Sequence, residues 1–427
     1  MRKQTNADIG PPQISRPLAE GSKSKRGGHL TPKRPSVYLR TFGCQMNVRD
    51  SEIVKGLLID RGYRAADSPE KADVVLFNTC SVRKHAEDRA INNVWRLRDL
   101  KKKRPEVVVG VIGCMAQAMK EEIIKKVPLV DFVCGPDDER DIPKLIEKIQ
   151  GTKKKIVAVR KIGSRGREKV PEYRGDGLNA FVSIARGCDN YCSYCIVPYV
   201  RGRERSRKPR DIIREVRGLA GRGFKEIMLL GQNVNSYKGY SSGARDTRYE
   251  IRDTDKRKSD FVRLLEEING IKGIERIKFM TSHPKDASRA LFRAMRDLDR
   301  VVKHLHLPLQ SGSDRILKLM NRKYTAKTYL KAVDDYRRLV SDGTVSTDII
   351  VGFPSESEED FKKTEDLMKK GRFDGAFIFK YSPRPRTKAS RLEDDVPEKT
   401  KKERNAVLLK LQAEISKKKA LKNAKDR

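Results

Sequence analysis

The sequence predicts an α/β protein of two consecutive domains, and three observations carry that expectation. Short apolar runs alternate with amphipathic helical stretches along most of the 427 residues. A polar, basic link over residues 151–177 interrupts the alternation. Four strand-like runs precede the link and six follow it. A chain of this length has room for two or three domains with proper cores.

Residues 1–35 are rich in Pro, Gly, Ser and Lys and lack apolar periodicity, so a disordered basic tail is expected there. Residues 36–41, 72–78, 107–113 and 129–133 then read as strands, with helical segments such as 51–59 between them. Strand and helix in that rhythm specify a parallel sheet with helices on its faces. The expected unit is a Rossmann/flavodoxin-like domain over residues 36–150. Beyond the link, strands are expected near 181–185, 226–230, 276–280, 303–307, 346–351 and 375–381, separated by helices such as 211–219. Six such units make an incomplete (β/α)6 barrel over residues 178–397, whose chemistry belongs at the carboxyl ends of its strands. Residues 237–259 read as a polar, flexible insertion, and 398–427 as one Lys-rich helix.

Composition narrows the partners. There are 95 Lys+Arg against 58 Asp+Glu, a formal charge of +37. Such an excess favours an anionic partner, RNA or DNA being the usual one, against the plainer reading of a solvated basic surface. The seven cysteines come without a signal-peptide pattern, which points to a reducing, cytoplasmic setting rather than a disulfide framework. No uncharged apolar run approaches the roughly 18–20 residues that a membrane helix needs.

The chemistry sits in the cysteines. Cys188, Cys192 and Cys195 fall within eight residues, with Tyr194 directly before the third. Three thiolates on one loop can hold three irons of a cubane and leave the fourth open to a small molecule. This loop follows the first barrel strand, where barrels place catalytic groups. Cys44, Cys80 and Cys114 each follow one of the first three strands. In an open parallel sheet those strand ends share one edge, so the three can converge on a second cluster although they are far apart in sequence. Buried core thiols are the alternative. A structural zinc site fits poorly without a nearby histidine. Cys134 ends the fourth run and is most simply a small core residue.

The cysteine loop resembles that of the radical S-adenosylmethionine (SAM) superfamily. The resemblance extends through Gly43-Cys44-Gln45-Met46-Asn47, Gly202-Arg203-Glu204-Arg205-Ser206-Arg207, Gly231-Gln232-Asn233-Val234-Asn235-Ser236-Tyr237, Thr281-Ser282-His283-Pro284, His306 to Ser313 and Asp348 to Pro354, in that order. The series is similar to the methylthiotransferases, and among them to the MiaB-like tRNA-2-methylthio-N6-dimethylallyladenosine synthases, over about residues 37–411. This implies two [4Fe-4S] clusters and S-adenosylmethionine. The Cys188/Cys192/Cys195 cluster would cleave that cofactor to a 5′-deoxyadenosyl radical, because C2–H of adenine has no acidity to exploit. The Cys44/Cys80/Cys114 cluster would carry the sulfur, and a second cofactor molecule would give the methyl group. The implied substrate is N6-isopentenyladenosine next to the anticodon of tRNA. The implied electron donor is a flavodoxin or ferredoxin, and the expected state is a monomer. Threonylcarbamoyladenosine in tRNA, a ribosomal-protein aspartate, or a non-catalytic metal-containing RNA-binding role are the alternatives.

Weaker candidates follow. Gly231 and Gln232 end the second barrel strand, Gln310 and Ser311 the fourth, and Asp348, Gly352 and Phe353 lie on or after the fifth; all are candidate cofactor contacts. His304 and His306 share one strand face and read as a hydrogen-bonded barrel-interior pair rather than metal ligands. Arg203, Arg205 and Arg207 are candidates for RNA phosphate or for a solvated basic face. Two departures from the family pattern stand out. The β-rich C-terminal TRAM domain is expected to be absent, since the chain ends in Lys/Ala-rich sequence without a strand pattern. Arg386 stands where the family's Tyr-Ser-x-Arg-Pro-Gly-Thr segment has glycine.

Overall fold

The computed structural model describes residues 34–81, 84–160, 162–163, 173–174, 177–240 and 258–425. Nearly all of the tail expected over 1–35, part of the link over 151–177 and the middle of the insertion over 237–259 lie outside the described residues. The chain divides into two compact units, Met1–Gly177 and Leu178–Arg427.

The first unit holds a parallel sheet of β1 (Ser36–Thr41), β2 (Arg64–Ala65), β3 (Val74–Thr79), β4 (Val108–Gly113), β5 (Phe132–Cys134) and β6 (Ile156–Ala158). The order across the sheet is β2-β1-β3-β4-β5-β6. Every residue of β3 and β4 is buried, as expected of central strands covered on both faces. Val75, Phe77, Val109 and Val111 pack into one layer, and Val74, Leu76, Val108 and Ile112 into the other. That two-residue alternation is the strand period made visible. Each such side chain contributes roughly 1.5–3 kcal/mol on burial.

Two strands exceed the four in the sequence pattern. The exposed pair Arg64–Ala65 is too short and polar to leave an apolar run. Ile156–Ala158 pairs with β5 inside the stretch expected as a link, where Lys153, Lys154 and Lys155 hide three apolar residues.

In the second unit β7 (Asn179–Ser183) is followed by β8 (Ala185–Arg186), β9 (Arg205–Ser206), β10 (Glu226–Leu230), β11 (Arg276–Phe279), β12 (His304–His306), β13 (Thr344–Val351) and β14 (Gly375–Lys380). Parallel sheets β11-β10-β7 and β12-β13-β14 are joined by a bridge between Ile277 and Val301. The result is the six-strand incomplete barrel, with β8 and β9 forming a small antiparallel pair beside it.

The final helix, Glu398–Lys425, belongs to this unit rather than standing apart as a basic segment. Lys401, Arg404, Leu408, Gln412 and Ile415 are buried at helical spacing. Arg404 Nη1 donates to Glu356 Oε2 at 2.8 Å, and Gln412 Nε2 to the Phe373 carbonyl at 3.0 Å. Polar residues thus line a packed face, and the outward face carries Lys402, Lys410, Lys417 and Lys418.

Candidate functional site

In the first unit β1, β3 and β4 are neighbours with Thr41 opposite Asn78 and Thr79 opposite Gly113. Their ends are therefore level, and the chain turns at each into a cysteine. Cys44 caps the helix Gln45–Ile59, Cys80 follows β3 directly, and Cys114 opens the helix Cys114–Met119. Gly43 has φ +138, and a Cβ there would lie 2.6 Å from the Cys80 Cβ. Gly113 has φ +91, and its Cβ would meet Asn78 Oδ1 at 2.3 Å. Only glycine allows these approaches, which draw the three cysteine-bearing turns together. Cys80 and Cys114 are buried and Cys44 is exposed. Three thiols level at one sheet edge are a donor set suited to an iron–sulfur cluster.

Cys134 ends β5 fully buried, within the layer formed by Leu76, Ile112 and Phe132. No cysteine of the chain forms a disulfide.

In the second unit the loop after β8 carries Cys188, Cys192 and Cys195. Gly187 has φ +80, and a Cβ there would sit 2.1 Å from the Arg203 carbonyl. Its N–H donates to Gln232 Oε1 at 2.6 Å, which ties the loop to the end of β10. Cys188 N–H reaches the Gly202 carbonyl at 3.1 Å, and Cys195 N–H the Cys192 carbonyl at 3.0 Å. Burial pushes the Cys188 thiol up to about 11. Burial, reinforced by the neighbouring Cys192, pushes Cys195 up to about 12. Such thiols stay protonated in the apo loop; a bound metal centre takes the thiolates and releases the protons. Three cysteines at this sequence spacing are the donor type that suits a cubane with one iron left without a protein ligand. Among the described residues no three such side chains already converge as a metal site.

A turn distant in sequence clasps this loop. Ser193 N–H donates to the Met320 carbonyl at 3.0 Å. Asn321, with φ +57, donates its side-chain amide to the carbonyls of Asn190 at 3.2 Å and Tyr191 at 2.9 Å. Arg322 Nη1 lies 3.2 Å from Cys192 Sγ. None of these three residues is marked by sequence pattern; the only local signal is an Asn at a helix end in left-handed conformation, a common C-terminal stop.

The remaining candidates divide. Gln232 bonds the cysteine loop, and the Gly231 carbonyl accepts from Thr281 Oγ1 at 2.7 Å. Gln310, at φ +74, forms a backbone bridge with Ile349, next to Asp348. Ser311 is fully buried and accepts from the Ser313 N–H at 3.2 Å. Gly352, at φ +68, donates its N–H to Glu356 Oε2 at 2.7 Å. Phe353 is fully buried among Ile316, Met320, Tyr381 and Ala389, with Tyr194 packed on the same cluster. Phe353 therefore belongs to a small core on which Tyr194 of the cysteine loop also packs.

His304, half-buried, and His306, buried, form a hydrogen-bonded ladder along β12 and β13. Ser346 Oγ lies 2.9 Å from His304 Nε2 and 2.9 Å from His306 Nδ1, and His306 Nε2 lies 3.4 Å from Asp348 Oδ2. Arg207 is held inside the fold, donating to the Ser183 carbonyl at 2.6 Å and pairing with Glu215 at 2.7 Å. Arg203 forks onto Asp189 at 2.9 and 3.1 Å.

Comparison with known proteins decides the family. Residues 182–368 match the radical SAM superfamily, and residues 36–135 match an uncharacterized protein family, UPF0004. The tRNA-2-methylthio-N(6)-dimethylallyladenosine synthase of Caldicellulosiruptor saccharolyticus is 47% identical over 390 residues, covering 91% of this chain and 80% of the relative. The chain belongs to this family. The protein of the same name from Syntrophus aciditrophicus is 44% identical over 396 residues, covering 92% of this chain and 83% of its own. Among solved structures, the radical S-adenosylmethionine methyltransferase TsrM from Kitasatospora setae superposes with a TM-score of 0.58 over 84% of this chain and 77% of its own. At 13% identity that likeness is one of fold. Among the described residues no helix is long and apolar enough to cross a membrane.

Proposed function

We infer that this enzyme methylthiolates C2 of N6-isopentenyladenosine next to the anticodon in tRNA. The observation that carries the reading is the pair of cysteine sets, one at three level strand ends and one on the first barrel loop, in a chain of this family.

Cys188, Cys192 and Cys195 would hold one [4Fe-4S] cluster, and Cys44, Cys80 and Cys114 the other. With S-adenosylmethionine, the bound clusters supply a carbon radical for the unactivated C2–H bond and the sulfur that replaces its hydrogen. The protein's own work is positional. Gly187 and Gln232 fix the first barrel loop to the second strand end. Burial of Cys188 limits the access of water to its sulfur. Gly231, Gln232, Gln310 and Asp348 are the proposed cofactor contacts; Ser311, Gly352 and Phe353 shape the turns beside them. The electron donor is a flavodoxin or ferredoxin, the protein acts as a monomer, and it works in the cytoplasm, where tRNA is found.

Mass spectrometry of tRNA nucleosides from a strain lacking the gene tests the substrate. The 2-methylthio derivative should vanish while isopentenyladenosine accumulates, and only the unsubstituted gene, not C192A, should restore it. Loss of a threonylcarbamoyl derivative instead would reassign the substrate, and an unchanged nucleoside profile would sink the reading. Anaerobic protein should carry roughly eight iron and eight sulfide per chain, two cubanes; zinc in their place would refute the cluster assignment.

A further inference from the structure

Arg322 is 8% exposed, yet among the described residues no carboxylate pairs with its guanidinium. Its contacts are the Tyr324 hydroxyl at 2.7 Å from Nε, the Pro308 carbonyl at 3.0 Å from Nη2, and Cys192 Sγ at 3.2 Å from Nη1. The guanidinium carbon also lies 5.0 Å from the centre of the Tyr324 ring. A buried cation without an anion is unfavourable. Two of its partners are neutral oxygens that orient the group without neutralising it. The third is a sulfur that is negative once it binds a metal.

The placement is well determined. Arg322 N–H bonds the Leu317 carbonyl at 2.8 Å, fixing the turn after the helix Asp314–Leu319. Met320 and Asn321, the two preceding residues, hold Ser193, Asn190 and Tyr191. Three consecutive residues thus grip four consecutive residues of the cysteine loop, and the guanidinium is aimed at the one cysteine among them.

We propose that Arg322 is a positioning residue for the cluster: its guanidinium is the built-in counter-charge of the Cys192 thiolate, holding that sulfur in place and raising the cluster's reduction potential. The proposal rests on the reading that Cys188, Cys192 and Cys195 bind a [4Fe-4S] cluster. Reduction adds one negative charge to such a cluster, and a cation hydrogen-bonded to a ligating sulfur stabilises the more negative state. Removing the charge should therefore make the cluster harder to reduce.

The test uses the full chain with C44A, C80A and C114A, so that one cluster titrates. After anaerobic reconstitution, iron is counted and the cluster is titrated with dithionite, its reduced form followed by electron paramagnetic resonance. R322M is expected to keep its iron and shift to a more negative potential by at least ~59 mV, a tenfold change for a one-electron couple. Failure of R322M to take up iron that R322K takes up would support the positioning half. Iron retained at an unchanged potential overturns the proposal. Should R322M not fold by circular dichroism, R322Q, neutral but polar, is read by the same criteria. If the parent variant binds no cubane, or if C192A binds it unchanged, the underlying assignment fails whatever Arg322 does.

Discussion

Asn47 and Asn78 hold each other through reciprocal amide contacts behind the strand-end cysteines. Asn47 Nδ2 donates to Asn78 Oδ1 at 3.0 Å, and Asn78 Nδ2 donates to the Asn47 carbonyl at 2.8 Å. Asn47 also donates to the Thr79 carbonyl at 3.2 Å, Asn78 to Ser51 Oγ at 2.9 Å, and Cys44 Sγ to Asn47 Oδ1 at 3.3 Å. Both amides are fully buried. The pair couples the turn bearing Cys44 to the strand ending at Cys80, while Gly113 packs onto Asn78.

N78A should therefore disturb the fold and the metal site together. It leaves the buried Asn47 amide without one acceptor and removes the second donor of the Asn47 carbonyl, a loss of about 1–3 kcal/mol. In a chain carrying C188A, C192A and C195A, N78A should also lower iron retention at the remaining site. Urea unfolding reads the first effect and iron analysis after desalting the second; full iron retention would show that the amide pair is scaffold alone.

Asp360 offers a prediction in pH. It forms a capping box with Ser357 at the start of the helix Glu358–Gly371, and it accepts from Ser313 Oγ at 2.5 Å and from Arg315. Burial opposes its charge, but the hydrogen bonds from Arg315, Ser313 and Ser357 outweigh burial and hold the carboxyl well below the usual range. A depressed native pKa means stability that is complete above the unfolded value near 3.9 and is lost as pH falls toward the native one. D360N should cost about 1–3 kcal/mol at neutral pH. The gap to the unsubstituted chain should narrow below about pH 4. Urea midpoints across that range check both, and a gap independent of pH would contradict the assignment.

What could be read from sequence follows a physical division. Cys44, Cys80 and Cys114 were legible because their position, one per strand end, and their chemistry point the same way. The six barrel strands were legible because buried parallel strands are nearly continuous apolar runs. Arg322 was not, because its partner Cys192 lies 130 residues away and nothing local marks an arginine as buried. The packed face of the final helix escaped for a related reason: Lys401, Arg404 and Gln412 read as solvent-facing until Asp394, Glu356 and the Phe373 carbonyl meet them. Phe353 shows the reverse ambiguity, since an aromatic after a strand suits a cofactor plane and a core equally, and here it packs in a core.

Arg386 occupies left-handed backbone at φ +70 on an exposed turn, at the position where the family pattern has glycine. A side chain there clashes with its own carbonyl, at roughly 1–2 kcal/mol, partly offset by the greater unfolded entropy of glycine. R386G should thus raise stability by about 0.5–1 kcal/mol. Thermal melts of the two chains at equal salt check it. A decrease would mean that the arginine makes a compensating contact through its side chain.

The last prediction concerns the grip on tRNA. The outward face of the final helix presents Lys402, Lys410, Lys417 and Lys418, in a chain of formal charge +37. Lysines that meet phosphate release counterions, so affinity falls linearly on a logarithmic salt scale, by roughly 0.7–0.9 per contact. Replacing the four lysines with glutamine should weaken tRNA binding and flatten that slope by about one unit or more. Iron content should stay unchanged, because the buried face of the helix is untouched. Filter binding from low to moderate salt measures the slope directly. If slope and affinity both persist, the helix is a structural strut for the barrel, and the phosphate contacts must come from other basic surface such as the Arg203 and Arg205 turn.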